Sequence, residues 1–112
     1  MAALTPIEAI TRHGQITHNE CQYTVVDVAD NSTTVYTGPC ILYGLVVTTV
    51  LSAHALPVLD GATNTVAALA ASAAVGTTTN YAGIRCDTSL VVDPDDAATG
   101  RITVIWRKVN AD

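Results

Sequence analysis

Short runs of apolar and β-branched residues, separated by turn-forming residues, dominate the chain from residue 22 onward. Residues 22–28 and 33–37 each have the composition of a strand, and Asp, Asn and Ser at positions 30–32 form a turn signal between them. This spacing predicts two strands joined as a hairpin. Residues 40–51 form the longest apolar stretch, which has hydrophobic side chains on both faces and therefore predicts a central strand between two layers.

The middle of the chain continues this pattern with shorter segments. Residues 56–59 predict an edge strand, because Pro57 has no N–H to donate to a ladder. A tight turn at Asp60-Gly61 leads into a strand over residues 65–69. The Ala-rich residues that follow are flanked by β-branched residues and interrupted by Gly76, so we expect a loop there rather than a helix.

Three further strands are expected in the last third of the chain. Residues 84–87 and 90–93 predict two short strands, and the Pro- and Gly-containing stretch 93–100 predicts a turn. Residues 101–109 predict the final strand. Its alternation places Ile102, Val104 and Trp106 on one face.

The whole pattern predicts an all-β protein. About eight short strands at roughly 8–12-residue intervals are typical of a single β-sandwich or a jelly-roll-like barrel, here over residues 21–112. Residues 1–20 lack this alternation and predict an irregular N-terminal arm or lead-in. Two interpretations of that segment stay open, a frayed terminus and an arm that orders on a neighbouring subunit.

Composition favours an assembled protein. The 112 residues suffice for one domain, and 49% are hydrophobic while only 13% are charged. No Phe is present, so Val, Ile, Leu and Ala must fill the core. With so few charges, either both faces of the sheets are buried or other subunits cover part of the apolar surface. We therefore expect an oligomer.

Charge and hydropathy argue against nucleic-acid and membrane partners. The net charge is −5, and no Lys or Arg occurs between Arg12 and Arg85, so the chain lacks a basic track for phosphates. The apolar run at 40–51 is too short to span a bilayer. The first residues lack the basic and apolar regions of a signal peptide. We expect synthesis in a cytoplasm.

No residue constellation predicts a catalytic, cofactor or metal site. Cys21, Cys40 and Cys86 allow at most one intramolecular disulfide, and the apolar surroundings of the latter two favour buried free thiols. His18 and Cys21 lack a second ligand pair at zinc-finger spacing. The Asp residues at 93–96 are ordinary turn residues. The sequence therefore predicts a protein that is not an enzyme and needs no cofactor.

Four phrases carry a resemblance to a known family. They are residues 38–44 (GPCILYG), 59–63 (LDGAT), 73–77 (AAVGT) and 98–104 (ATGRITV), and they lie within the stretch Gly38 to Val109, which is about two-thirds of the chain. Each phrase alone is typical of many turns and strands. The order of the phrases along the chain is what makes the resemblance specific. In this order the chain resembles tailed-bacteriophage capsid decoration (cement) proteins, which are small all-β structural proteins of the virion. Residues 1–20 do not match that pattern.

The resemblance implies a function without catalysis. Such a module binds the capsid surface of a virion assembled in the host cytoplasm, usually as a homotrimer that bridges major capsid protein subunits. The expected partners are the major capsid protein and further copies of the chain. The arm interpretation supplies candidate capsid or subunit contacts: Thr5, Pro6, Ile7, Ile10, Arg12, His13 and His18.

Two alternatives remain open. One is a host-surface or glycan-binding module of a head fibre or tail, which would present an aromatic platform. The available aromatics are Tyr23, Tyr36, Tyr43, Tyr81 and Trp106, of which Trp106 is expected in the core. The other alternative is a head–tail connector or tail subunit, which should form rings of more than three copies.

Overall fold

Eight strands make up the fold in the computed structural model, which describes residues 21–109. The strands are β1 (Gln22–Asp27), β2 (Thr33–Thr37), β3 (Cys40–Thr49), β4 (Leu56–Asp60), β5 (Asn64–Leu69), β6 (Thr78–Cys86), β7 (Ser89–Val92) and β8 (Arg101–Lys108). One short 3-10 helix, Val28–Asp30, follows β1. No α-helix occurs in the described range. The all-β prediction is confirmed.

The strands form two antiparallel four-stranded sheets. Sheet I has the order β1-β8-β3-β6, and sheet II has the order β2-β7-β4-β5. The first strand thus pairs with the last, the second with the seventh, the third with the sixth and the fourth with the fifth. This nested pairing is the strand order of a jelly roll. The sandwich prediction is therefore confirmed at the level of strand order.

The predicted hairpin between β1 and β2 is wrong. β1 pairs with β8 in sheet I and β2 pairs with β7 in sheet II. The 3-10 helix carries the chain between the sheets, and Asp27 begins it by accepting a hydrogen bond from the Ala29 N–H at 3.0 Å. Val28 anchors the crossing because its N–H donates to the Gly100 carbonyl at 2.9 Å. Turn residues at 30–32 signal a change of direction without specifying the pairing partner.

The assignment of residues 56–59 to an edge strand is also wrong. β4 lies inside sheet II, between β7 and β5. Pro57 is tolerated there because the pairing with β7 begins one residue later, at Val58 opposite Val92. The Pro57 carbonyl accepts a hydrogen bond from the N–H of Asp93, just beyond the end of β7, at 3.1 Å. The missing N–H therefore lies at the end of the β4–β7 ladder and does not interrupt it.

β6 is longer than its sequence indicates. It begins at Thr78, whereas the pattern predicted a strand only from Ile84. Ala82 and Gly83 have φ angles of 57° and 107°, in the left-handed region. The pairing register with β3 shifts in the same part of the ladder. This irregularity breaks the two-residue period from which strands are recognised.

The core consists of the inner faces of the two sheets. Leu42, Leu45, Ile102 and Val104 of sheet I and Leu56, Val58, Leu90 and Val92 of sheet II are almost completely buried. Trp106, 5% exposed, shares this core as predicted. Its ring lies 5.0 Å from that of Tyr36 on the opposite sheet, and its Nε1–H donates to Thr24 Oγ1 at 3.0 Å. The buried indole thus has a polar partner.

Asp60 joins the two sheets at one corner of the sandwich. Its carboxylate accepts hydrogen bonds from the backbone N–H groups of Asp87, Thr88 and Ser89 at 3.0, 2.9 and 3.3 Å. Those residues carry the chain from β6 in sheet I to β7 in sheet II. The backbone donors favour the ionised carboxylate, so they lower the pKa of Asp60 below its usual value.

Asp60→Asn should therefore destabilise the protein in a pH-dependent way. A lowered folded-state pKa contributes stability above the unfolded-state value of 3.8, and this contribution is lost as the pH falls through the folded-state pKa. We expect a cost of about 1–2 kcal/mol at pH 7 that shrinks below about pH 4. Urea unfolding from pH 2 to 7 measures it. Asp96→Asn, at an exposed position, is the matched control and should show neither effect.

Candidate interaction surface

The outward side of sheet I carries six large apolar side chains where a solvated sheet would carry polar ones. This surface, here called the outer face, comprises Tyr23, Val25, Ile41, Tyr43, Val46 and Ile105. The register places them side by side. Tyr23 lies opposite Ile105, and Val25 lies opposite Thr103, which in turn lies opposite Val46. The outer face is thus one contiguous patch across neighbouring strands.

The exposure of these side chains is unusual for an isolated antiparallel sandwich. Tyr23 is 73% exposed and Val25 is 56% exposed, while the other four are half-buried. Within the described part of the chain, two other large hydrophobic side chains are comparably exposed, Val50 and Val75, and both lie in connecting segments. Antiparallel sheets that face water normally alternate apolar inward with polar outward. Sheet I thus has large apolar side chains on its outward side as well as in the core.

A shallow groove of about 370 Å³ runs over this face, with Cys21, Tyr43, Asn80 and Ile105 among its lining residues. Its floor contains Gly44, where a Cβ atom would come within 2.9 Å of the Thr79 carbonyl oxygen. A bulge in β3 lies next to this glycine, between Leu42 and Gly44. Because Gly44 has no side chain, β6 can approach β3 closely. The groove therefore results from the close packing of these two strands.

Charged side chains lie at the two ends of the outer face and not at its centre. Arg85 and Arg107 flank Ile41 at one end, where Arg85 Nε lies 2.7 Å from Asp87 Oδ1. At the other end Arg101 lies 3.5 Å from Asp27. An apolar centre with a charged rim is the usual anatomy of a protein–protein interface.

The seven contact residues proposed from the sequence, Thr5, Pro6, Ile7, Ile10, Arg12, His13 and His18, lie outside the described residues. The expected arm at 1–20 does so as well. The outer face was not predicted from the individual residues of the sequence. The sequence feature that indicates this face is the high hydrophobic fraction combined with apolar residues at the outward positions of strands β1, β3 and β8.

Acidic and metal-ligating side chains within residues 21–109 form no group of three or more that could hold a metal ion. Asp60 is engaged with backbone donors, and Asp95 accepts a hydrogen bond from the Ala97 N–H at 2.9 Å. His54 Nδ1 lies 3.8 Å from Asp95. These side chains stabilise loops. In the same range there is also no helix with the length and apolar character needed to cross a membrane.

The aromatic residues are divided between the core and the outer face. Trp106 and Tyr36 pack against each other between the sheets, whereas Tyr23 and Tyr43 lie on the outer face. The largest aromatic ring is therefore not available as a surface platform. Tyr81 packs against the core from β6.

The three cysteines are free thiols in different surroundings. Cys40 and Cys86 are 0% exposed, as the sequence predicted, and Cys21 is exposed at the groove. Burial raises the pKa of the Cys40 thiol, and burial together with the neighbouring Cys40 raises the pKa of Cys86 to about 12. Both buried thiols are therefore poor nucleophiles in the folded protein.

Thiol labelling should separate these environments. At pH 8 a small aromatic disulfide reagent should modify Cys21 quickly, and should modify Cys40 and Cys86 only at the rate at which the protein opens. Absorbance of the released thiol measures the fast and slow phases. Cys21→Ser should remove the fast phase alone, and two or more fast thiols in the parent protein would contradict the burial.

No protein-family model matches the chain, and no curated protein and no solved structure matches it either.

Proposed function

We propose that this protein decorates and stabilises the capsid of a tailed bacteriophage. It binds the capsid surface as a homotrimer and bridges major capsid protein subunits. The outer face of sheet I is the surface through which it assembles with other proteins. The chain performs no catalysis in this function and requires no cofactor. Assembly takes place in the host cytoplasm, and the mature location is the virion surface.

The apolar outer face is the observation that carries this proposal. Tyr23 and Val25 expose most of their surface to water in a single copy, which is unfavourable in proportion to the apolar area left uncovered. An interface removes that area from water. Contiguous exposed apolar patches with polar rims commonly mark protein–protein contacts.

Three further features support a structural protein of a virus. The four quoted phrases resemble decoration proteins, and a jelly roll is a common fold of viral capsid domains. The fold supports this only by analogy, because one fold serves many functions. The third feature is the acidic net charge of −5, which disfavours non-specific binding to the packaged nucleic acid.

A trimer makes weak individual contacts sufficient for stable attachment. Once one subunit of the trimer is bound, the other two encounter the capsid at a high effective concentration. Loss of the outer-face contacts should therefore weaken capsid attachment even where a residue touches another copy rather than the capsid itself.

Cosedimentation with capsid shells tests the proposal. The shells are assembled from the major capsid protein encoded in the same genome as this chain. We expect saturable binding to shells and none to unassembled capsid protein. Val25→Lys should weaken binding at least tenfold, because it places an ammonium group in a desolvated contact.

Val75→Lys is the matched control, since Val75 is 62% exposed and lies outside the outer face. It should bind shells like the parent protein. Both substitutions should leave the circular dichroism spectrum of the parent unchanged, because both sites are exposed in the single chain and neither belongs to its core. Absence of shell binding by the parent protein, or equal binding by both variants, would contradict the proposal.

The arm residues Thr5 to His18 form a second proposed contact with the capsid or a neighbouring subunit. Deleting residues 1–20 should leave the circular dichroism spectrum of the β-domain intact and reduce the occupancy of stripped shells. Full occupancy by the deletion variant would refute the contact.

A glycan-binding function is the second candidate, because Tyr23 and Tyr43 share the outer face and aromatic rings are common sugar platforms. Binding to a panel of bacterial surface glycans, lost in Tyr23→Ser, would favour it over capsid decoration. The decoration proposal expects no glycan binding.

A further inference from the structure

Cys40 and Cys86 occupy directly opposite positions of two neighbouring strands. Cys40 opens β3, Cys86 ends β6, and the two are partners in the antiparallel register. Both are completely buried. The strand pattern points both side chains to the inner side of sheet I, and the two thiols are close enough to shift each other's pKa. Two thiols therefore lie adjacent at one end of the core.

This arrangement meets the geometric requirement of a disulfide. Directly opposite residues of an antiparallel pair have Cα atoms about 4.5–5.5 Å apart. Disulfides span Cα separations of about 4.4–6.8 Å. The bond can thus form between β3 and β6 with little backbone movement. Cys21, at the groove on the other side of sheet I, is not part of this pair.

We propose that Cys40 and Cys86 form an oxidisable dithiol that closes into a cross-strand disulfide when the protein meets a small-molecule disulfide such as oxidised glutathione. One protein thiolate attacks a sulfur of the small disulfide and displaces one thiolate, which leaves a mixed disulfide. The thiolate of the second cysteine then attacks the sulfur of the first cysteine and displaces the other small thiolate. The two protons of the protein thiols end on the two released thiols, so the protein is oxidised by two electrons and the small disulfide is reduced by two.

Access to the pair is through the edge of sheet I. Among the strands within residues 21–109, β6 is an edge strand that pairs only with β3. Cys86 is its last residue, so opening of this end exposes the thiol without unfolding the remaining sheet. The raised pKa of both thiols makes them slow nucleophiles while they are buried. Oxidation should therefore be slow and should accelerate as the pH rises.

The bond would fasten the edge strand of the sandwich to β3. It would close the long loop between residues 40 and 86, which restricts the unfolded chain and so stabilises the fold. The dithiol would stay reduced in a cytoplasm and would oxidise in an extracellular medium. This inference is independent of capsid binding, because it concerns the single chain.

Intact-mass spectrometry and thermal unfolding test the proposal on Cys21→Ser protein, in which intermolecular bridges through Cys21 are absent. Incubation with excess oxidised glutathione at pH 8 should remove two hydrogen masses and raise the unfolding midpoint by more than about 5 °C. Dithiothreitol should reverse both changes. Cys21→Ser/Cys86→Ala, which retains only Cys40, should lose no hydrogen and show no rise in midpoint.

Three results would overturn the proposal. Stable glutathione adducts without an internal disulfide would show that the second sulfur cannot reach the first. A disulfide that leaves the midpoint unchanged or lowers it would show that the bond strains the native register. No reaction over several days, while the urea-unfolded protein oxidises readily, would show that the edge does not open to admit the oxidant.

Discussion

The shared aliphatic layer between the two sheets is the constraint on which the structure depends. In the nested strand order, β4 and β5 are the one consecutive pair of strands that are neighbours in a sheet. Every other connection passes from one sheet to the other. Neither sheet can therefore be completed without its opposite sheet, and the burial of Leu42, Ile102, Val58 and Leu90 stabilises both together. The Asp60 carboxylate stabilises one of these connections, the one from β6 to β7, by accepting hydrogen bonds from its backbone.

In contrast to the core, the outer face leaves apolar side chains exposed to water. The inner side of sheet I is buried in the core. Its outward side also carries apolar side chains, among them Tyr23, Val25 and Ile105. A single copy leaves this area in water, and the charged side chains on the outward side of sheet I lie at its ends. The same sheet that completes the core thus supplies a surface suited to a second protein. The proposed capsid function connects these two properties of one sheet.

Local sequence pattern predicted the strands well because strand signals are local. The alternation of Ile102, Val104 and Trp106 identified the buried face of β8, and Asp60-Gly61 identified the β4–β5 turn. Pairing partners could not be predicted in the same way, because the pairing of β1 with β8 joins residues far apart in the chain. The hairpin and edge-strand predictions failed for this reason.

The candidate surface was only partly predictable. The composition indicated that apolar area must be covered, but the bulge next to Gly44 changes which residues of β3 face outward. Without that shift, simple alternation along β3 assigns Val46 to the same side as Leu42. The pairing of Cys40 with Cys86 likewise depends on register and not on any motif.

The solution mass of the full chain, measured by light scattering, tests the central claim that the outer face is covered by another protein. The account predicts a mass close to three times the 11.6 kDa of one chain, reduced in Val25→Lys. A mass of 11.6 kDa at concentrations of tens of micromolar would contradict the homotrimer, and a ring of six or more copies would instead favour a connector or tail subunit.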